Sequence, residues 1–137
     1  MNKRFYIDTS IWRDYFEDRN DGVRPLGEFA FQFLKKCAEF NCIILYSEPV
    51  LFELRDFKAD WGRLFSDFKD LLVEVPVSEN QVKEANLVSA ERRLPFNDAL
   101  HAIVARDNNA ILVSRDNDFA LLSDIVEFML PEEVVFD

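Results

Sequence analysis

Glycine, histidine and cysteine are all scarce in this chain, and each shortage removes a class of chemistry. Only 3 glycines occur in 137 residues. Neither G-x-x-x-x-G-K nor G-x-G-x-x-G is found, so nucleotide binding through a P-loop or a Rossmann turn is not expected. The single histidine, His101, excludes a multi-histidine metal site within one chain, and any Ser-His-Asp triad would depend on it alone. Cys37 and Cys42 lack C-x-x-C spacing and have no second pair to complete a zinc site, so they read as reduced core thiols. No apolar run approaches the roughly 18 residues that a membrane span requires. The basic start Met1-Asn2-Lys3-Arg4 leads into an apolar run that Asp8 interrupts, which is not the pattern of a secretory leader. A soluble, cytoplasmic protein that does not engage a membrane is the expectation.

Positive charge is in short supply as well. Lys and Arg number 16 against 26 Asp and Glu, for a formal net charge of −10. That balance argues against a generic basic nucleic-acid binder. It does not exclude an enzyme acting on nucleic acid, because carboxylates gathered around divalent cations are neutralised locally.

What the chain does have is apolar material in abundance. Hydrophobic residues make up 49% and Phe alone accounts for 14 positions, enough for one globular domain over residues 1–137 with a strongly aromatic core. Arg4 to Ile7 reads as a short buried strand ending at Asp8, and Ser10 to Phe16 as a helix. Leu26, Phe29, Ala30, Phe33, Leu34, Cys37 and Ala38 follow the spacing of a helix with one buried face. Cys42 to Tyr46 is a buried strand, and Ser47 with Pro49 opens a helix that runs to about Phe57. A helix over Trp61 to Leu71, a strand over Leu72 to Val75, and a helix opened by the capping box Ser78…Gln81 come next. After Leu94-Pro95 a helix runs from Asn97 to Asp107, followed by a strand from Ala110 to Val113. One helical turn from Phe119 to Leu122 and an edge strand from Ile125 to Met129 complete the chain. The alternation predicts a three-layer α/β/α domain around a mostly parallel sheet of about four to five strands.

Acidic residues fall where such a sheet would present them. Asp8 ends the first strand and Asp116, with Asp118 beside it, follows the fourth. Glu53 lies about one turn into the helix after the second strand. Helices that follow strands begin at the rim where the strands end, so Asp8, Glu53 and Asp116 can converge. Asp98 follows a helix, and this topology does not by itself bring it to the rim. Clustered carboxylates resist ionisation unless a cation relieves them. Mg²⁺ or Mn²⁺ suits oxygen ligands, activates water and stabilises charge on a phosphate.

Every one of these acids also has a plain structural reading. Asp8 would serve as the cap of the first helix, and Asp98 as a first-turn acid favoured by the helix dipole, with Asn97 able to take that place. Glu53 has Glu48 and Asp56 as rivals on its own helix. Asp116-Asn117-Asp118 would be a polar turn. Thr9 and Ser10 are capping or supporting hydroxyls, and His101 reads as a partly buried ring bonded to a neighbour. The aromatic stripe from Phe29 to Phe40 is core or dimer surface, and Arg13, Arg92, Arg93 and Arg115 are candidates for phosphate contact.

Four segments together carry a family resemblance. Ile7-Asp8-Thr9-Ser10, Val50-Leu51-Phe52-Glu53-Leu54, Asn97-Asp98-Ala99-Leu100-His101-Ala102 and Leu112-Val113-Ser114-Arg115-Asp116-Asn117-Asp118-Phe119 resemble, in order and spacing, the acidic motifs of PIN domains. The size is similar to that of the VapC-like toxins of prokaryotic toxin–antitoxin systems. The resemblance implies a metal-dependent endoribonuclease using Mg²⁺ or Mn²⁺, with Asp8, Glu53, Asp98 and Asp116 as its acidic site and Asp118 the alternative to Asp116. It brings Asp98 to the rim. It also implies an RNA substrate, a homodimer, and an antitoxin that inserts a segment near the site. Ser114 stands where the family more often has Thr, which keeps the hydroxyl. A non-catalytic PIN-like module acting through protein contacts is the competing expectation. A phosphatase of the haloacid dehalogenase kind would need a second acid where Ser10 stands.

Overall fold

A computed structural model of the chain describes residues 3–55 and 61–136. Five strands, β1 (Arg4–Ile7), β2 (Ile43–Tyr46), β3 (Leu72–Glu74), β4 (Ile111–Val113) and β5 (Phe128–Met129), form one sheet in the order β3-β2-β1-β4-β5. Every pairing is parallel, so the sheet is wholly rather than mostly parallel. Phe5 pairs with Ile44 on one side and Ile111 on the other, which makes β1 the centre of the sheet. Phe5, Tyr6 and Ile7 are fully buried, as a strand covered on both faces requires.

Among the described residues six α-helices connect the strands: α1 (Thr9–Glu17), α2 (Leu26–Glu39), α3 (Glu48–Leu54), α4 (Trp61–Phe68), α5 (Glu79–Arg92) and α6 (Phe96–Asp107). The crossovers from β1 to β2 and from β2 to β3 step one way along the sheet; that from β3 to β4 steps back past β1. Right-handed connections therefore put α1 to α4 on one face and α5 with α6 on the other. Phe68 of α4 meets Trp12 and Tyr15 of α1, with ring centroids 6.3 and 5.8 Å apart. On the same side Phe5 packs edge-on to Phe33, and Phe136 from the C-terminal segment closes over both. The expected aromatic stripe on α2 thus divides. Phe33 is core, whereas Phe31 and Phe40 remain partly exposed.

Boundaries depart from expectation where local chemistry differs from the pattern. Asp8 rather than Thr9 is the cap of α1, so the helix opens one residue early. Ser47 occupies the cap position of α3, but its side chain accepts no hydrogen bond from the first N–H groups of the helix, because that hydroxyl is used elsewhere. Pro95, not Asn97, precedes α6. The helix expected to reach Phe57 ends at Leu54, and Phe57 itself lies outside the described residues. The last strand shortens to Phe128–Met129. The capping box on α5 forms as read, with Ser78 Oγ accepting from Gln81 N at 3.1 Å and Ser78 N donating to Gln81 Oε1 at 2.8 Å.

The placement of Asp98 follows from the α5–α6 hairpin. Gln81, near the start of α5, donates to Asp107 at the end of α6, and Arg106 forms a two-pronged pair with Glu84. The two helices are therefore antiparallel. The far end of α6 lies beside the beginning of β1, where Arg4 Nε donates to the Asn108 carbonyl at 2.8 Å. The opposite end of α6, which carries Asp98, must then lie at the edge where the strands end.

Candidate active site

Asp8 and Asp116 flank a point in the sheet where chain direction along the strand order reverses. β1 is followed in sequence by β2 on one side, while β4 lies on the other side. Crevices beyond the carboxyl ends of strands at such a switch point are where open α/β sheets bind ligands.

Serine and threonine hydroxyls organise the acids. Asp8 Oδ1 accepts from the backbone N of Ser10 at 2.9 Å and from Ser10 Oγ at 2.5 Å, and Oδ2 accepts from Ser114 Oγ at 2.9 Å. Ser114 Oγ in turn accepts from the backbone N of Asp116 at 3.0 Å. One hydroxyl at the end of β4 therefore ties the loop bearing Asp116 to the carboxylate at the end of β1. Across the site, Thr9 Oγ1 donates to Glu53 Oε2 at 3.0 Å. Asp8 is thus both the cap of α1 and the hub of this network; the two readings of it coexist.

Glu53 has a second support. Its Oε1 lies 3.0 Å from His101 Nε2, and His101 Nδ1 lies 2.7 Å from the Tyr6 hydroxyl. The histidine is only 2% exposed. Burial pushes the Glu53 carboxyl up, but the hydrogen bond and charge of His101 and the Thr9 hydroxyl outweigh it and hold the group below the ordinary value. The rival Glu48 is exposed, and Asp56 lies outside the described residues.

The opposite shift occurs at Asp8 and Asp98. Burial raises the Asp8 carboxyl against the hydrogen bonds from Ser10 and Ser114. Asp98, partly buried in the first turn of α6, is pushed up to about 6, first by burial and next by the charge of Asp116, with Asp8 and Glu53 adding to it. Asp98 therefore feels all three of its candidate partners. Asp118 does not contribute in this way; it is exposed, and its backbone N donates to Asp116 Oδ1 at 2.9 Å. Asp98 thus lies within electrostatic reach of Asp8, Glu53 and Asp116, and the exposed Asp118 is not among the charges that raise it.

The donor set bears on which metal would fit. Among the described residues, no three His, Cys, Asp or Glu side chains form a ready-made cage for an ion. Mg²⁺ does not need one, since it commonly binds through one or two carboxylates and keeps several waters. An all-oxygen set with mutually opposed charges fits a hard divalent cation and does not fit a thiophilic one.

Of the arginines expected near phosphate, Arg13, Arg92 and Arg115 lie beside carboxylates. Arg92 makes a two-pronged pair with Asp124, both distances 2.7 Å. Arg115 pairs with Glu132 at 2.6 and 2.8 Å, lies over the Phe29 ring, and faces the buried Asp14 at 3.6 Å. Arg13 neighbours Glu17 at 3.6 Å, and Arg93 takes a left-handed conformation (φ 57°) that ends α5. Sequence reading understated Tyr6 and Ser47. A hydroxyl in a buried strand and another directly after one were the available signals, since buried hydroxyls require partners.

Comparison with solved structures agrees with this architecture. A toxin–antitoxin complex from Klebsiella pneumoniae superposes with a TM-score of 0.68 at 19% identity, over 94% of this chain and 98% of that one. VapBC2 from Rickettsia felis, bound to a DNA fragment from its promoter, gives 0.66 at 19% identity over 93% and 98%. VapC20 from Mycobacterium tuberculosis, a toxin that cleaves the sarcin–ricin loop, gives 0.62 at 19% identity over 86% and 94%. At such identities the likeness is one of fold. Comparison of the sequence with curated proteins gives no match. The PIN domain model matches residues 5–125, and the chain belongs to the PIN-domain family.

Proposed function

We propose that this chain is a metal-dependent endoribonuclease, the toxin of a toxin–antitoxin pair, with Asp8, Glu53, Asp98 and Asp116 as its acidic site. The observation that carries the reading is the hydroxyl network at the sheet's switch point. Ser10 and Ser114 bond the Asp8 carboxylate, Ser114 also takes the backbone N of Asp116, and Thr9 bonds the Glu53 carboxylate, which supports a shared role for acids from three separate parts of the chain. The sarcin–ricin loop cleavage of VapC20 supports RNA as the substrate class, and the toxin–antitoxin complexes support an antitoxin partner. The active form is a homodimer. An RNA-cleaving toxin works where its substrate is, in the cytoplasm.

Asp8, Asp98 and Asp116, with Glu53, would hold Mg²⁺ or Mn²⁺. Such an ion supplies Lewis-acid polarisation of a phosphate and activation of water. The chain's own residues provide orientation. Ser114 and Ser10 fix both oxygens of Asp8, and Thr9 with His101 fixes both oxygens of Glu53. Incubating the purified protein with structured RNA should give cleavage that stops with a chelator and returns with Mn²⁺. An Asp8→Asn variant as active as the parent would overturn the assignment.

A second reading, a binding module that acts through protein contacts, draws on charge. The formal net charge is −10 and both Arg92 and Arg115 are paired with carboxylates, so long-range attraction for RNA is weak. Calorimetric titration with Mn²⁺ separates the two, because a module shows no saturable binding at the rim.

A further inference from the structure

Beneath the acidic rim runs a line of polar side chains that the proposed reaction does not itself use. Ser47 Oγ lies 2.5 Å from the Tyr6 hydroxyl, which lies 2.7 Å from His101 Nδ1, and His101 Nε2 lies 3.0 Å from Glu53 Oε1. Ser47 and Tyr6 are fully buried and His101 is 2% exposed. The four residues come from β1, the end of β2, α3 and α6. Three buried polar groups in series, ending on the part-exposed Glu53, need a reason, since apolar replacements of similar shape would cost little or nothing.

The donor inventory fixes how the line reads. An ionised carboxylate accepts and cannot donate, so His101 Nε2 carries the proton shared with Glu53. In the neutral ring Nδ1 is then an acceptor, and the Tyr6 hydroxyl donates to it. Burial pushes the Tyr6 hydroxyl far above its ordinary value, so it keeps the proton it donates. Its oxygen is left to accept from Ser47 Oγ. With the ring neutral each member has one arrangement that satisfies its neighbour, and with the ring neutral or charged the end of the series is the Nε2–H bond to Glu53.

Glu53 needs that bond more than the other acids do. Asp8 and Asp116 sit directly at strand ends or on the loop tied to one by Ser114. Glu53 sits on α3, a helix of seven residues with two buried positions, Val50 and Leu54, and its carboxylate is a third exposed. A long side chain on so small an element would sample several rotamers in water. We infer that His101, aligned by Tyr6 and Ser47, is a positioning residue that holds the Glu53 carboxylate in the one orientation in which it faces the other acids. The inference rests on the proposed metal-binding role of the rim, and it assigns no contact between His101 and substrate.

Two measurements test it, and they fail separately. Because the chain has one histidine, ¹⁵N spectroscopy of the imidazole reports on His101 without ambiguity. At a pH where the ring is neutral, the metal-free protein should show the Nε2–H tautomer with a hydrogen-bonded Nδ1, and Tyr6→Phe should move the Nδ1 resonance to that of an unbonded acceptor while Glu53 keeps the proton on Nε2. A tautomer mixture in the parent overturns the alignment, whatever the rim does. Mn²⁺ affinity by calorimetry is the second readout, on variants whose circular dichroism and melting match a folded protein. His101→Leu should weaken binding about ten- to a hundred-fold. His101→Gln, which can still donate to Glu53, should restore most of the loss. In the Glu53→Gln background, His101→Leu should have no further effect. Equal losses for Leu and Gln, or additive losses with Glu53→Gln, overturn the positioning role while leaving the acidic site standing. A parent that binds no Mn²⁺ sinks the metal-site reading and the positioning role with it, while the tautomer result still decides the alignment.

Discussion

Asp8 shows how one side chain can serve two purposes. Its carboxylate caps α1 through the backbone N of Ser10 and also takes the Ser10 and Ser114 hydroxyls. Asn is as good a cap as Asp, so Asp8→Asn should keep the fold while removing the charge; retained melting with lost RNA cleavage is the expected pair of results. Asp98 allows a test without substrate. Its carboxyl, raised to about 6 mainly by burial and by Asp116, lies above its unfolded value of about 4. A raised folded value means that its contribution is full below the unfolded value and is lost as pH rises through the folded one. In chelator-treated protein, the melting temperature of Asp98→Asn relative to the parent should therefore climb between about pH 4 and pH 7. A flat difference would show that the rim charges do not press on Asp98. Cys37 and Cys42 are both buried, and burial pushes both thiols up, in keeping with their reading as core residues.

At the scale of elements, close approaches and caps decide how the helices that carry the site are seated. Gly27 lies where α2 passes α1. A Cβ there would stand 2.6 Å from the Asp18 Cα and 2.9 Å from the Asp14 carbonyl oxygen. Gly27→Ala should destabilise by about 1–3 kcal/mol in urea unfolding, the usual cost of overpacking, despite the better helix propensity of Ala. The α5 capping box gives a smaller, cleaner case. Ser78→Ala removes the acceptor for Gln81 N and should cost about 1 kcal/mol with no change in metal binding, because α5 carries none of the acids. The element most easily misplaced from sequence was α6. The start of α5 lies beside the end of α6, at the edge where β1 begins, so residues 75–78 carry the chain back from the end of β3, α5 runs toward the rim, and α6 starts there with Asp98.

For the whole molecule the governing quantity is charge. A net −10 spread over a small domain opposes the compact state. Ligands that bind only the folded form raise its apparent stability. Mn²⁺ should therefore raise the melting temperature well beyond the effect of NaCl at matched ionic strength, and Asp8→Asn should erase the difference. Equal effects of the two salts would mean general screening and no site. Among the described residues, no helix is long and apolar enough to cross a membrane.

Strand positions, helix faces and the rim locations of Asp8 and Asp116 were legible in the sequence. Buried parallel strands read as continuous apolar runs, and their ends are marked by the first polar residues that follow. Spacing alone separates Asp116 from Asp118 poorly, since both stand in one polar turn; in the fold the charge of Asp116 presses on Asp98, while Asp118 is exposed. The engagements of Arg92 and Arg115 were not legible, since their partners lie 32 and 17 residues away. Ser47 was the most misleading, having the residue type and position of a helix cap while its hydroxyl turns to Tyr6. Local spacing determined where each acid sits on its own element. Tertiary structure decided which acids meet, because convergence depends on the sheet's strand order and on the α5–α6 reversal, and neither is encoded in any single segment.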